Sequence, residues 1–218
     1  MEHDFWHERW AKDEIGFHQH EYNAHMQAFT DRLALNPGDH LLVPLCGKSL
    51  DMLWLLRQGY RVSGIELSRK AAEDFFAENQ VQADISEIAG GLCFSGDNLN
   101  IYCADFFEFD FELISPFDAI YDRASLIALP PAMRLAYAER ISAISPAGTP
   151  SLLVTLDYPA GEMRGPPFSV PEAEVHQLYG PTHQIEHLHS EDCLAQEPRF
   201  RKKGVTRMDE HVYLLSKL

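Results

Sequence analysis

Residues 40–66, HLLVPLCGKSLDMLWLLRQGYRVSGIE, constrain the fold more than any other stretch. A Pro37-Gly38 turn leads into the apolar run Leu41-Leu42-Val43. A small-residue loop through Gly47 follows, then an apolar-periodic segment ending at Gly59 and a second run from Arg61 to Ile65 that stops at Glu66. The pattern reads as strand, tight loop, helix, strand. Ser49 is placed to cap the helix, Met52, Leu53 and Leu56 share one face, and Gly59 suits the left-handed position after a helix end. In a parallel sheet this crossover brings the Gly47 loop and the Glu66 carboxylate together at the strands' carboxyl ends.

An acid roughly 20 residues beyond a glycine loop suits a ribose, because a carboxylate accepts hydrogen bonds from both vicinal hydroxyls. Only Gly47 stands where a dinucleotide fingerprint has three glycines, with Pro44, Leu45, Cys46 and Lys48 around it. A pyrophosphate needs close backbone approach at several points; a nucleoside carrying an amino-acid tail needs less. The expected ligand is therefore a nucleoside, and an NAD-dependent oxidoreductase is disfavoured. The layout resembles the cofactor half of Rossmann-like S-adenosylmethionine-dependent methyltransferases. A structural βαβ unit whose Glu66 merely meets solvent, or a nucleoside-binding module without chemistry, are the competing readings.

At 218 residues and 45% hydrophobic content the chain suits one well-buried α/β domain. A formal net charge of −15 repels nucleic-acid backbones and anionic membranes, so the expected partner is a small molecule. Cys46, Cys93, Cys103 and Cys193 form no C-x-x-C pair, which predicts reduced thiols and a cytoplasmic protein. No apolar run approaches membrane-spanning length, and the N-terminus MEHDFWHERW has no signal-peptide pattern. The eleven histidines include His3 with His7, His18, His20 and His25, and His183, His187 and His189. None has H-E-x-x-H or cysteine context, so no metal site is expected.

Residues 1–36 read as a helical arm in which Trp6 and Trp10, four apart, face the same way; it either staples onto the domain or folds over the cofactor site as an aromatic wall. Ser68 caps a helix from Arg69 to Asn79, and residues 92–103 form a hairpin about Gly96-Asp97. At the end of its second arm Asp105 is placed either to accept an adenine amine, with Phe106 as apolar face, or to cap the following turn. Phe117 to Tyr121 reads as a buried strand ending at Asp122 and Arg123, followed by a helix from Pro131 to Ile144. Arg123 is the cation placed to hold a substrate anion or a polarised ring nitrogen, against the alternative of a structural ion pair. The strand Ser151–Asp157 runs into the stiff Pro/Gly-rich segment 158–171, expected to be a lid. A short helix begun by Pro171 follows. The last strands are expected at 183–189 and 211–218, with the basic stretch 199–203 between them.

WHERW with GFHQ, PLCGKSLDMLWL, GIELS, YDRASLIAL, GPPFSV and the terminal VYLLSKL together resemble the thiopurine S-methyltransferase family, in its bacterial form, over nearly the entire chain. The resemblance implies a class I, Rossmann-like fold: a seven-stranded, mostly parallel sheet with an antiparallel last strand and helices on both faces. It implies S-adenosyl-L-methionine as methyl donor and a small-molecule thiol, such as a thiopurine, as acceptor. Trp10, Leu45, Glu66 and Arg123 match the cofactor-contacting positions. Trp6 and Phe17 line the pocket, Gly47 admits the methionine tail, Asp105 and Phe106 take the adenine position, and Arg123 and Arg199 match the substrate arginines. Bacterial relatives also suggest selenium or tellurium oxyanions as acceptors. A monomer is expected.

Overall fold

The computed structural model describes residues 3–16 and 18–218, with the side chain of His3 left aside. The chain forms two compact units, 1–121 and 122–218. The elements are α1 (His3–Ala11), α2 (Ala24–Phe29), β1 (His40–Val43), α3 (Asp51–Arg57), β2 (Arg61–Glu66), α4 (Arg69–Glu78), β3 (Asp84–Ile88), β4 (Gly91–Gly96), β5 (Leu99–Cys103) and β6 (Ala119–Arg123), which runs across the unit boundary. They continue as α5 (Ser125–Ala128), α6 (Pro131–Ile144), β7 (Pro150–Asp157), α7 (Glu172–Tyr179), β8 (His183–Asp192), α8 (Pro198–Lys202) and β9 (Asp209–Lys217).

In the first unit the strand order is β3-β4-β5-β2-β1-β6. β1 is parallel to β2 and to β6, and β2 is parallel to β5, with Val43 opposite Gly64 and Glu66 opposite Cys103. Central strands covered on both faces read as continuous apolar runs, and all four residues of β1 are buried. Ser68 accepts from the Ala71 N–H as the cap of α4, which turns Ala71, Ala72, Phe75 and Phe76 inward. In the second unit β9 lies antiparallel between β7 and β8. No helix among the described residues is long and apolar enough to cross a membrane.

The described strands number nine where seven were expected. β3, DISEI, pairs antiparallel with β4 but is exposed over four of its five residues, so it has no apolar alternation for a sequence reading to detect. The arm is helical only at α1 and α2, with a 3₁₀ turn at Thr30–Leu33. The N-cap of α3 is Leu50 rather than Ser49, whose hydroxyl still accepts from the Asp51 N–H at 3.2 Å. β6 extends two residues past Tyr121, which places Asp122 and Arg123 within the strand. The basic stretch forms α8.

Candidate active site

The carboxyl ends of β1, β2 and β5 build a cradle in the first unit. The chain leaving β1 keeps following β2, with Cys46 N–H donating to Ile65 O at 2.9 Å. It then folds tightly: Leu45 has φ 45° and Gly47 φ 54°. A left-handed leucine is costly, about 1–2 kcal/mol, and such strain gathers where backbone is held to receive a ligand. Glu66 fixes the bend from below. Its Oε2 accepts the Gly47 N–H at 2.8 Å and its Oε1 accepts the Ser68 N–H at 2.7 Å. The carboxyl is buried, and desolvation pushes its pKa up to about 7 against the pull of those N–H donors.

Trp10 closes over this loop. Its indole is 3% exposed and lies so near Gly47 that an added Cβ would sit 3.3 Å from Cζ2. Trp6 is half-buried, edge-on to Phe5 with centroids 5.2 Å apart. Phe17 lies outside the described residues. At the end of β5, Ala104 N–H donates to Glu66 O at 3.0 Å, so Asp105 begins just beyond the register partner of Glu66. The Asp105 Oδ1 accepts from Phe107 N–H at 2.9 Å, the turn-capping role that the sequence left open. Phe106 is buried edge-on to Phe107 and Phe111.

Two neighbours escaped the sequence reading. Lys48 is 6% exposed and ties the loop to the end of α4 through Glu78, with Nζ to Oε1 2.7 Å. Asp51 is buried and accepts from Asn23 N–H at 2.8 Å and Tyr121 O–H at 2.9 Å. A charged residue inside an otherwise apolar loop–helix start was the available signal, but its partners are 28 to 70 residues away. A cleft of about 490 Å³ bordered by His20, Tyr22, Leu50, Leu53, Arg57 and Asn79 shares no residue with the cradle.

In the second unit Arg123 is the last residue of β6 and half-buried. Ala124 after it has φ 70°, so the chain turns sharply into α5 through a conformation that alanine rarely takes. Its neighbour Asp122 is buried and accepts from Tyr137 O–H at 2.8 Å; burial raises its pKa to about 6. Arg199 on α8 is nearly half exposed, pairs with Glu197 at 2.8 Å and lies over the Phe200 ring at 4.7 Å. Segment 158–171 has no regular structure. It is pinned by Tyr158 O–H to Pro167 O at 2.7 Å, by Phe168 N–H to Ile127 O at 2.7 Å, and by the buried Arg134, which donates to Ser169 O at 3.1 Å and to Glu174 at 2.7 Å.

A buried carboxylate beneath a glycine, at the carboxyl end of adjacent parallel strands, fits a ribose diol, and the Gly47 backbone leaves room that a side chain would fill. Solved structures similar to this chain include methyltransferases. A S-adenosylmethionine-dependent methyltransferase from Anabaena variabilis matches 99% of this chain and 95% of its own at TM-score 0.65 and 15% identity. A Burkholderia thailandensis 1,6-didemethyltoxoflavin N1-methyltransferase, solved with S-adenosylhomocysteine, matches 99% and 87% at TM-score 0.64 and 16% identity. These likenesses show a Rossmann-like fold shared with S-adenosylmethionine-dependent methyltransferases. The thiopurine S-methyltransferase family model matches residues 1–218. The thiopurine S-methyltransferase of Pseudomonas paraeruginosa is 47% identical over 217 residues, covering 100% of both chains, and that of Nitrosospira multiformis is 43% identical over 99% of this chain and 98% of its own. The chain belongs to the thiopurine S-methyltransferase family.

Proposed function

We propose that this enzyme transfers the methyl group of S-adenosylmethionine to the sulfur of thiopurines and other aromatic or heterocyclic thiols. The match to the family across all 218 residues carries the reading, and the Glu66–Gly47 cradle supports its cofactor half. When bound, the cofactor supplies an electrophilic methyl on a sulfonium, open to in-line displacement by the thiol. Glu66 accepts the ribose hydroxyls, Gly47 and Leu45 bring backbone to the amino-acid tail, and Asp105 and Phe106 flank the base. Trp6 and Trp10 on the arm exclude water from the site. A thiolate is already a strong nucleophile, so the residues need only align it rather than deprotonate it with a strong base. Arg123 favours the anionic form of the thiol or thione by a charge-assisted hydrogen bond, and Arg199 helps to hold the same substrate. Segment 158–171 serves as the lid over the acceptor.

The test is methyl transfer from labelled S-adenosylmethionine to 6-mercaptopurine, run beside selenite and tellurite, with Arg123→Ala as the second protein. Methylation of the thiopurine by the parent, with turnover lost in the variant while cofactor binding persists, is the expected result. Transfer to the oxyanions alone overturns the acceptor. Equal loss of cofactor binding and turnover in the variant overturns the role of Arg123.

A further inference from the structure

The register of β7 and β9 places two carboxylates directly opposite each other. Asp157, the last residue of β7, pairs with Asp209, the first of β9, and the next pair on the same face is Thr155 with His211. Like charges facing across an antiparallel pair are destabilising, so this position calls for a cation. In the structure the cation is a side chain, Arg207, which donates to Asp157 Oδ2 at 2.7 Å and to Asp209 Oδ2. Arg207 is 46% exposed, on the chain just before β9, and can swing out into solvent.

What Arg207 leaves behind is not satisfied. His211 Nε2 is buried with no hydrogen-bond partner. A buried imidazole nitrogen without a protein partner is uncommon and is free to act as a ligand. One carboxylate oxygen from each of Asp157 and Asp209 and one imidazole nitrogen of His211 lie within 4.8 Å of one another. His211 Nδ1 meets His187 Nε2 at 3.1 Å, a nitrogen that also lies 2.9 Å from His189 O, and His187 Nδ1 faces Glu172 at 3.4 Å. In the tautomer in which His187 Nε2 accepts from His211 Nδ1–H rather than donating to His189 O, the imidazole of His211 gains the second polar partner that orients metal-ligating histidines. The His187 ring stacks on Tyr213 at 4.7 Å, which fixes it in place. Asp157 Oδ1 accepts from Ser169 Oγ at 3.0 Å, leaving Oδ2 for the cation.

We infer that Asp157, Asp209 and His211 form a binding site for a divalent transition-metal ion, taken up in exchange for the guanidinium of Arg207. Two carboxylate oxygens, one imidazole nitrogen and an open position suit zinc or a similar first-row ion. The ion lies where both the 158–171 segment and the chain from α8 join the sheet. Those segments already touch: Tyr158 packs in one cluster with Phe200, Val205 and Met208, and Glu162 accepts from Thr206 Oγ1 at 2.7 Å. Metal at the base of both ties their roots together.

The experiment titrates metal-free protein with Zn²⁺ by calorimetry and with Co²⁺ by visible spectroscopy, which reports the ligand field independently of any activity. One equivalent is expected to bind, with Co²⁺ d–d bands that disappear in His211→Gln. Asp157→Asn and Asp209→Asn each weaken binding at least tenfold, and His187→Gln weakens it by about 10–100-fold, as loss of an orienting partner does. Arg207→Ala tightens it, by about tenfold for a guanidinium that holds the carboxylates roughly nine-tenths of the time. Melting curves of the metal-free variants confirm that each is folded. The site is refuted if neither ion binds the parent or Arg207→Ala, or if binding survives His211→Gln and Asp157→Asn unchanged, since another of the eleven histidines then holds the ion.

Discussion

Glu66 is buried, and in the proposed function it is its anion that accepts the ribose hydroxyls. Burial holds its pKa near 7, so at neutral pH the free protein carries it about half protonated. A ribose diol donates to the carboxylate and loses an acceptor when that group is protonated, so cofactor binding draws the pKa down and expels the proton. Calorimetry in buffers of different ionisation enthalpy should show up to one proton released per cofactor at about pH 6, fading above about pH 8. The same release in Glu66→Gln would assign the proton elsewhere. Gly47→Ala should lower stability by about 1–2 kcal/mol, because alanine resists the left-handed φ of 54° and its Cβ meets Trp10, and should cost at least tenfold in cofactor affinity measured by equilibrium dialysis. Gly47 and Glu66 were legible because a glycine loop and an acid at the end of the next strand are a local pattern. The left-handed Leu45 was not: leucine carries no signal for positive φ, and the conformation comes from the pairing of Cys46 with Ile65 and of Gly47 with Glu66.

Asp51 shows how elements are joined by a residue with no local reason to be buried. It opens α3, where an acid is favourable for the helix dipole, and that reading would leave it in solvent. Its oxygens are instead taken by the backbone of Asn23, which itself caps α2 through Met26 N–H, and by Tyr121 on β6. Asp51→Ala therefore removes the acceptor of a buried N–H and of a buried hydroxyl at once and should cost about 2–4 kcal/mol, whereas Tyr121→Phe removes one donor and should cost about 1–2 kcal/mol. The double variant should be no less stable than Asp51→Ala alone, as read by urea denaturation; simple addition of the two losses would deny the network. The helices α4 and α6 were readable to within a residue because Ser68 and Pro131 mark their starts locally. Strand β3 and the Lys48–Glu78 tie were not, since an exposed edge strand and an ion pair spanning 30 residues leave no periodic trace.

For the molecule as a whole, pH acts through two buried carboxyls and through net charge, and salt separates them. Glu66 rises from 4.5 to about 7 and Asp122 from 3.8 to about 6, each because burial disfavours its anion. Groups whose pKa is higher in the folded state bind more protons there, so the stability they lend is fully present below the unfolded values and is lost as pH climbs through the folded ones. Between about pH 5.5 and pH 8 this loss amounts to roughly 3 kcal/mol, or a fall of about 6–12 °C in melting temperature for a chain of this size. The formal charge of −15 pushes the same way, because self-repulsion among 33 acidic and 18 basic side chains grows as the last carboxyls and histidines lose protons. At about 1 M salt the Debye length is about 3 Å and surface repulsion is largely screened, while groups sealed from solvent are not. Melting temperatures scanned over this pH range should therefore keep most of their downward slope in high salt, and saturating cofactor, by favouring the Glu66 anion, should raise the melting temperature more at pH 8 than at pH 5.5. A slope that vanishes in salt would place the effect on the surface charges and leave Glu66 and Asp122 without the proton affinity their burial gives them.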